Sequence, residues 1–201
     1  MNTIQIDRTS IDSIIQSLDS IANDLILNKV ISINYSMFSM IDLEVYYWHY
    51  LHQDDYARGV KHLKPKGEFE AHRYGIDLSL GNQLDVEFGG ILICGLYDIK
   101  TKRVLSKTEV KNTLFNQFNL GDNKFELVTS KTPWNATFKS QRMNLGNAKS
   151  DNHTRFENSF YKFIAKDAIL FKNYKGKETI FRNSDLANDE IEKMVGYKLK
   201  R

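Results

Sequence analysis

The sequence predicts an α+β fold in which strands outnumber helices. Three observations carry this. One long stretch, Thr9 to Asn28, has helical periodicity. Several shorter stretches between Lys29 and Phe171 alternate apolar and polar residues, with turn residues between them. No internal repeat or boundary divides the 201 residues, so residues 1–201 are expected to form one domain.

From Thr9 to Asn28, Ile11, Ile14, Ile15, Leu18, Ile21, Ala22 and Leu25 recur at helical spacing and make one apolar stripe. Thr9 is the expected cap, Asp12 suits the positive end of the helix dipole, and Asn28 is the expected left-handed stop. Lys29 to Ile33 reads as a strand and Asn34-Tyr35-Ser36 as a turn, so a helix and a hairpin open the chain.

The returning strand begins the stretch Met40 to Gly59. Ile41, Leu43, Val45 and Tyr47 share one face, which reads as core. Asp42, Glu44, Tyr46 and Trp48 share the other. A carboxylate walled by aromatic rings can activate a water while the rings grip a planar ligand. The polar run His52 to Gly59 then reads as a loop or short helix closing over that face, which becomes the floor of a pocket.

Val60 to Gly67 is a basic connection containing Lys61, Lys64 and Lys66, either a solvated loop or a phosphate contact. Phe69 to Leu96 reads as sheet, with a turn at Gly81-Asn82 and a bulge or bend at Gly89-Gly90. Asp77 is either solvated at an edge or a buried acceptor on the pocket side. Ser106 and Glu109 form a capping box, followed by Val110, Leu114 and Phe118 at i, i+4 spacing. Short strands are expected at Phe125 to Val128, Thr137 to Gly146, Phe160 to Ala165 and Ile169 to Phe171. A last helix is expected within Asp185 to Val195.

Composition excludes several classes. Hydrophobic residues make up 41% and charged residues 26%, which is globular rather than disordered. No apolar run approaches 18 residues and no secretory leader is legible, so neither a membrane span nor a membrane partner is expected. The single Cys94 cannot close an intrachain disulfide, and in its apolar strand it reads as a buried, inert thiol. A cytoplasmic, reducing compartment follows, and the N-x-S/T triplets at Asn34, Asn135 and Asn152 are chance matches. A net charge of +3 permits nucleic-acid binding without demanding it. Phosphate-loop, dinucleotide and serine-nucleophile motifs are absent from the sequence. His49 and His52 form H-x-x-H with Asp54, Asp55, His62 and His72 nearby, but no second pair stands at metal-site spacing. No metal and no cofactor are expected.

Five pieces, in order, resemble the alkyladenine (3-methyladenine) DNA glycosylase family. They are SIANDLILNK from Ser20, LEVYY from Leu43, DDYARG from Asp54, GIDLSL with GGILICGL, and SQRMNLGNAK with YKFIAK. Together they span most of residues 10 to 170. The resemblance implies one compact, monomeric domain with a curved, mostly antiparallel sheet. It implies binding of double-stranded DNA and extrusion of an alkylated or modified purine into a pocket, where an activated water cleaves the glycosidic bond. Glu44 matches the family's general base and Tyr46 its stacking tyrosine. Tyr56, His72 and Asp77 complete the implied base-binding set, Asp77 standing where the family has a discriminating Asn. Arg58, Lys61, Lys64, Lys66 and Tyr74 are the implied DNA contacts.

The departures are specific. The family's stacking His is replaced by Tyr56, Ala57 or Arg58, depending on alignment. Its central-strand Arg, which helps hold the water, falls at Cys94. The sequence therefore leaves three readings: a DNA N-glycosylase, a catalytically silent relative that binds nucleic acid or a small planar ligand, and an unrelated α+β protein. A shared face for Lys61, Lys64, Lys66, Lys100, Lys102 and Arg103 would favour the first two. A polar group replacing the missing Arg beside Glu44 separates the first from the second.

Overall fold

Residue periodicity resolves into a single curled antiparallel sheet with helices packed around it. The computed structural model describes residues 4–59, 64–72, 75–83, 86–116, 125–143, 145, 156 and 159–198. Among them are ten strands and four α-helices, an α+β fold as expected.

Helix α1 (Ile11–Asn28) buries Ile14, Leu18, Ala22, Leu25 and Ile26. Its cap is Ser10 rather than Thr9. Ser10 is extended, and its Oγ accepts a hydrogen bond from the Ser13 backbone N–H at 3.0 Å. Asn28 makes no left-handed stop. Lys29 is already extended, so the chain runs directly from helix into strand, and the Ser130 N–H satisfies the Asn28 carbonyl at 3.0 Å.

Strand β1 (Lys29–Ile33) and β2 (Ser36–His49) form the expected hairpin, with Asn34 at φ 55° in its turn. The short β3 (His52–Gln53) pairs with the end of β2, and a 3-10 turn follows at Asp55–Gly59. Then come β4 (Phe69–His72), β5 (Gly75–Gln83) and β6 (Glu87–Asp98). Gly81 and Asn82 lie inside β5 and not in a turn. The chain reverses after Gln83, whose carbonyl accepts from Val86 N–H at 2.9 Å. Gly89 stays within β6. A Cβ there would stand 2.2 Å from the Tyr46 carbonyl oxygen, so the two backbones can approach only because residue 89 is glycine.

Strand β7 (Arg103–Leu105) leads to α2 (Lys107–Asn116). Its capping box forms: Glu109 Oε2 accepts from the Ser106 N–H at 3.0 Å and from the Ser106 hydroxyl at 2.7 Å. Phe118 lies outside the described residues. Strands β8 (Phe125–Thr129), β9 (Thr137–Ser140) and β10 (Lys162–Ala165) complete the sheet. Ile169 to Phe171 is not a strand. Residues Ala168–Leu170 form a 3-10 turn, closed by Phe171 N–H bonding to the Ala168 carbonyl. A six-residue helix, α3 (Lys177–Arg182), was not anticipated, and the last helix is α4 (Asn188–Val195).

The main sheet order is β4-β5-β6-β2-β1-β8, with β10 beside β2, β9 beside β10, and β7 on β6. The sheet curls far enough for its two outer strands to meet. Phe69 of β4 and Phe125 of β8 stand ring to ring at 4.3 Å. Helix α1 packs on β1, β2 and β10.

A change of phase in β2 sets the site. Phe38 and Met40 point into the core, and so do Ile41, Leu43, Val45 and Tyr47. Two adjacent core residues, Met40 and Ile41, break strict alternation, and the pairing with β6 slips at this point. Gly95 faces the bulge. A Cβ on it would come within 3.0 Å of both Asp42 Cβ and Ile41 Cγ1. Beyond the bulge, Asp42, Glu44 and Tyr46 point away from the core.

Candidate functional site

Register places four side chains in one row across the sheet. Asp77 of β5 is opposite Leu92 of β6, Leu92 is opposite Glu44 of β2, and Glu44 is opposite Lys162 of β10. Asp42 lies two residues from Glu44 on the same strand face. These residues form the floor of a cavity of about 820 Å³. Tyr46, Tyr56, Tyr174, Cys94 and Met143 contribute to its walls. The start of α2 and the segment Asn173–Lys175 also line it, and Lys107, Asn173 and Lys175 are exposed there.

The floor holds a continuous hydrogen-bonded chain. The Tyr174 hydroxyl donates to Asp42 Oδ2 at 2.7 Å. Lys162 Nζ donates to Asp42 Oδ1 at 2.5 Å and to Glu44 Oε1 at 3.1 Å. The Tyr46 hydroxyl donates to Glu44 Oε2 at 2.8 Å. Lys107 Nζ stands 4.0 Å from the same oxygen. Asp42, Glu44 and Lys162 are all buried.

Burial by itself pushes the Glu44 pKa up. The Lys162 and Lys107 ammonium groups and the Tyr46 and Lys162 hydrogen bonds outweigh it and hold the carboxyl below its usual range. Glu44 is therefore ionised at neutral pH. Burial opposes the charge on Lys162, but Asp42 and Glu44 keep its pKa well above that of an ordinary lysine. Burial, and then the neighbouring carboxylates, push the Tyr46 and Tyr174 hydroxyls well up, so both remain donors.

Behind Tyr46 lies a second buried charge. The Arg142 guanidinium makes four hydrogen bonds: to Asp54 Oδ2 at 2.7 Å, Asp54 Oδ1 at 3.2 Å, the Val45 carbonyl at 2.9 Å and the Phe156 carbonyl at 3.1 Å. It also faces the rings of Tyr46, Tyr56 and Tyr161 at 4.6, 5.3 and 5.4 Å. The cage fixes the plane of Tyr46, and the Tyr46 hydroxyl in turn fixes Glu44.

The structure thus brings together Glu44, Tyr46, Tyr56 and Asp77 from the expected set. Asp77 is a buried group on the cavity side, not a solvated edge residue. Trp48 leaves the site and stacks on Phe88 at 5.1 Å. Cys94 lies in the cavity wall. Burial, followed by Glu44, pushes its thiol well up, which makes it a poor nucleophile.

Of the expected DNA contacts, Lys64 is exposed and Lys66 pairs with Glu87 at 2.6 Å. Arg58 belongs to the 3-10 turn and His72 to the end of β4, but their side chains lie outside the description. Lys61 and Tyr74 lie outside the described residues. Lys66 sits at the Glu87 end of β6, whereas Lys100 and Lys102 occupy the turn beyond Asp98 at its other end. At about 3.3 Å per residue, a strand of this length separates its ends by roughly 36 Å. Arg103 is tied to Glu109. Among the described residues, Lys66 and the pair Lys100 and Lys102 thus lie at opposite ends of β6.

Among the described residues, no group of three His, Cys, Asp or Glu side chains is arranged to hold a metal. His52 of the H-x-x-H pair is buried, with Nδ1 2.8 Å from the Tyr47 carbonyl and Nε2 2.6 Å from the Tyr161 hydroxyl. A carbonyl can only accept, so Nδ1 carries the proton and Nε2 accepts from Tyr161. Burial accordingly lowers the His52 pKa.

Sequence reasoning did not assign Lys162, Tyr174 or the Arg142–Asp54 pair. The legible signal was a lysine inside the apolar strand KFIA, because a buried ammonium needs carboxylates opposite it. Lys162 also answers the question of the missing Arg: a cation does stand beside Glu44, supplied by β10 instead of the central strand.

The arrangement can hold a flat ligand against tyrosines while presenting fixed acceptors and one ammonium. No protein-family model, curated protein or solved structure matches the chain.

Proposed function

We propose that the protein binds a small planar ligand of nucleobase or nucleoside size in the Glu44 cavity. The observation that carries this is an ionised, buried carboxylate on the floor of a cavity walled by Tyr46, Tyr56 and Tyr174. A volume of about 820 Å³ suits a small molecule, since such sites span roughly 300–1,000 Å³. The aliphatic lining of Leu92, Val104, Leu105 and Ile180 favours a flat, partly apolar body. Calorimetric titration with adenine and adenosine tests this reading. Binding is expected, and Tyr46→Ala should weaken it by roughly 1–3 kcal/mol, the scale of one base stacked on an aromatic ring. Unchanged affinity in Tyr46→Ala would remove the stacking role.

A second reading is favoured by the charge beside Glu44. It is a DNA N-glycosylase-like hydrolase of the kind the family resemblance implies, acting on a flipped, alkylated or modified purine. An ionised Glu44 would stabilise positive charge developing on the sugar. Because Lys162 lowers its basicity, Glu44 would act there more through its field than by deprotonating water. The test is base release from duplex DNA carrying hypoxanthine, ethenoadenine or methylated purines. Release that disappears in Glu44→Gln supports the hydrolase. Ligand binding without release leaves the first reading alone.

A further inference from the structure

The cavity floor offers a hydrogen-bond donor and an acceptor side by side. A lysine ammonium has three N–H groups, and Lys162 uses two of them, on Asp42 Oδ1 and Glu44 Oε1. Among the described residues no further acceptor meets Lys162, and its side chain lines the cavity. Glu44 Oε1 takes one bond, from Lys162, and a carboxylate oxygen has about two acceptor positions. One N–H of Lys162 and one position on Glu44 Oε1 therefore remain for a ligand. Both residues are buried, so leaving these positions unfilled under a bound ligand is costly.

The two atoms stand 3.1 Å apart. A ligand meets both at once only when its own acceptor and donor flank a single atom on one edge. We propose that the cavity reads such an edge, with a ring nitrogen or carbonyl oxygen accepting from Lys162 and the neighbouring N–H donating to Glu44 Oε1. The ligand class is a neutral heterocycle with a cyclic amide or amidine edge, and Lys162 is the specificity-determining residue.

Two features support the assignment. Asp42 and Glu44 are already met by Lys162, and Lys107 stands 4.0 Å from Glu44 Oε2, so this pair of acids calls for no charge on the ligand. Recognition then rests on the direction of hydrogen bonds. Both reading groups are also fixed before a ligand arrives. Two carboxylates hold the ammonium, while Lys162 and the Tyr46 hydroxyl hold the two oxygens of Glu44. The wrong edges are rejected by the same geometry. An edge with donors alone leaves the Lys162 N–H unpaired, and an edge with acceptors alone turns a lone pair against Glu44.

The inference rests on the proposed ligand-binding role, and the experiment separates the two. Four ribosides are titrated into the full chain by calorimetry. Adenosine carries an amidine edge and inosine an amide edge. Purine riboside keeps the ring acceptors and lacks the donor. A dideaza analogue of adenosine, with CH in place of both ring nitrogens that neighbour the amino group, keeps the donor and lacks the acceptor. Adenosine should bind at least about tenfold more tightly than purine riboside and than the dideaza analogue, the scale of one hydrogen bond to a charged group. Inosine should bind within about tenfold of adenosine. In Lys162→Met, shown folded by its unfolding curve, the preference for adenosine over the dideaza analogue should vanish. Either truncated riboside binding as tightly as adenosine, inosine falling to the level of purine riboside, or a preference that persists in folded Lys162→Met overturns the edge assignment, while adenosine binding keeps the parent reading. The wild-type series decides the edge even where the variant does not fold. Absence of binding by all four overturns both.

Discussion

Two buried charge clusters meet at Tyr46, and they differ in what completes them. The Arg142–Asp54 pair is closed. Its side chains are 0% and 1% exposed, and protein groups take four of the five guanidinium N–H bonds, only the buried Nε–H being without a partner among the described residues. The Asp42–Lys162–Glu44 cluster is nearly as buried, but it forms the floor of a cavity. Burial and ion pairing therefore do not identify a site by themselves. A charge cluster completed by its own protein has only a structural role, whereas one facing an enclosed space keeps capacity for a ligand.

The largest expected effect lies on the closed side. Asp54→Asn removes the charge partner of a fully buried guanidinium and should cost about 3–5 kcal/mol in denaturant unfolding. A loss below about 1 kcal/mol, the scale of an exposed ion pair, would erase the distinction. On the open side, Lys162→Met leaves two carboxylates facing a cavity that water can enter. Its stability cost should be smaller, roughly 1–3 kcal/mol. It should also raise the pKa of Glu44, detectable as a displaced acid limb in the pH dependence of ligand binding. An unmoved limb would show that Lys162 does not set the charge on Glu44.

Smaller still is Tyr46→Phe, which removes one hydroxyl bond to Glu44 and keeps the ring over Arg142. It should cost about 1 kcal/mol of stability and retain most of the stacking energy. A loss of several kcal/mol would mean that the two clusters act as one network. The pH dependence sharpens the comparison last. His52 belongs to the closed region and its folded pKa is depressed, so its contribution is present above the unfolded value of about 6.5. That contribution is lost as pH falls from there toward the folded value. Glu44, also depressed, keeps its contribution until pH falls to the unfolded carboxylate value of about 4.5, and loses it from there toward the folded value. Acid unfolding should therefore begin in the imidazole window, and His52→Gln should flatten that first part of the curve.

The elements were legible where one local rule acted alone. The α1 stripe, the KVISI hairpin and the Ser106–Glu109 box each depend on neighbours in sequence. So did the face of β2 that carries Glu44 and Tyr46. The errors fell where tertiary pairing decided. Gly81-Asn82 looks like a turn, yet pairing with Phe88 and Gly89 keeps it in β5. Asn28 looks like a stop, yet β1 begins without a left-handed residue. Lys162 and Tyr174 reach Asp42 from 120 and 132 residues away, so no local pattern could pair them. Trp48 shares a strand face with Glu44, but packing on Phe88 takes it out of the site.

The most direct test of the ligand-binding account is adenosine titration of the wild type and of Glu44→Gln, with unfolding curves recorded on both. The account predicts a folded Glu44→Gln protein whose affinity falls at least about tenfold, or 1.4 kcal/mol. A folded variant that binds adenosine as the wild type does would contradict it, because Glu44 would then be no more a ligand group than Asp54.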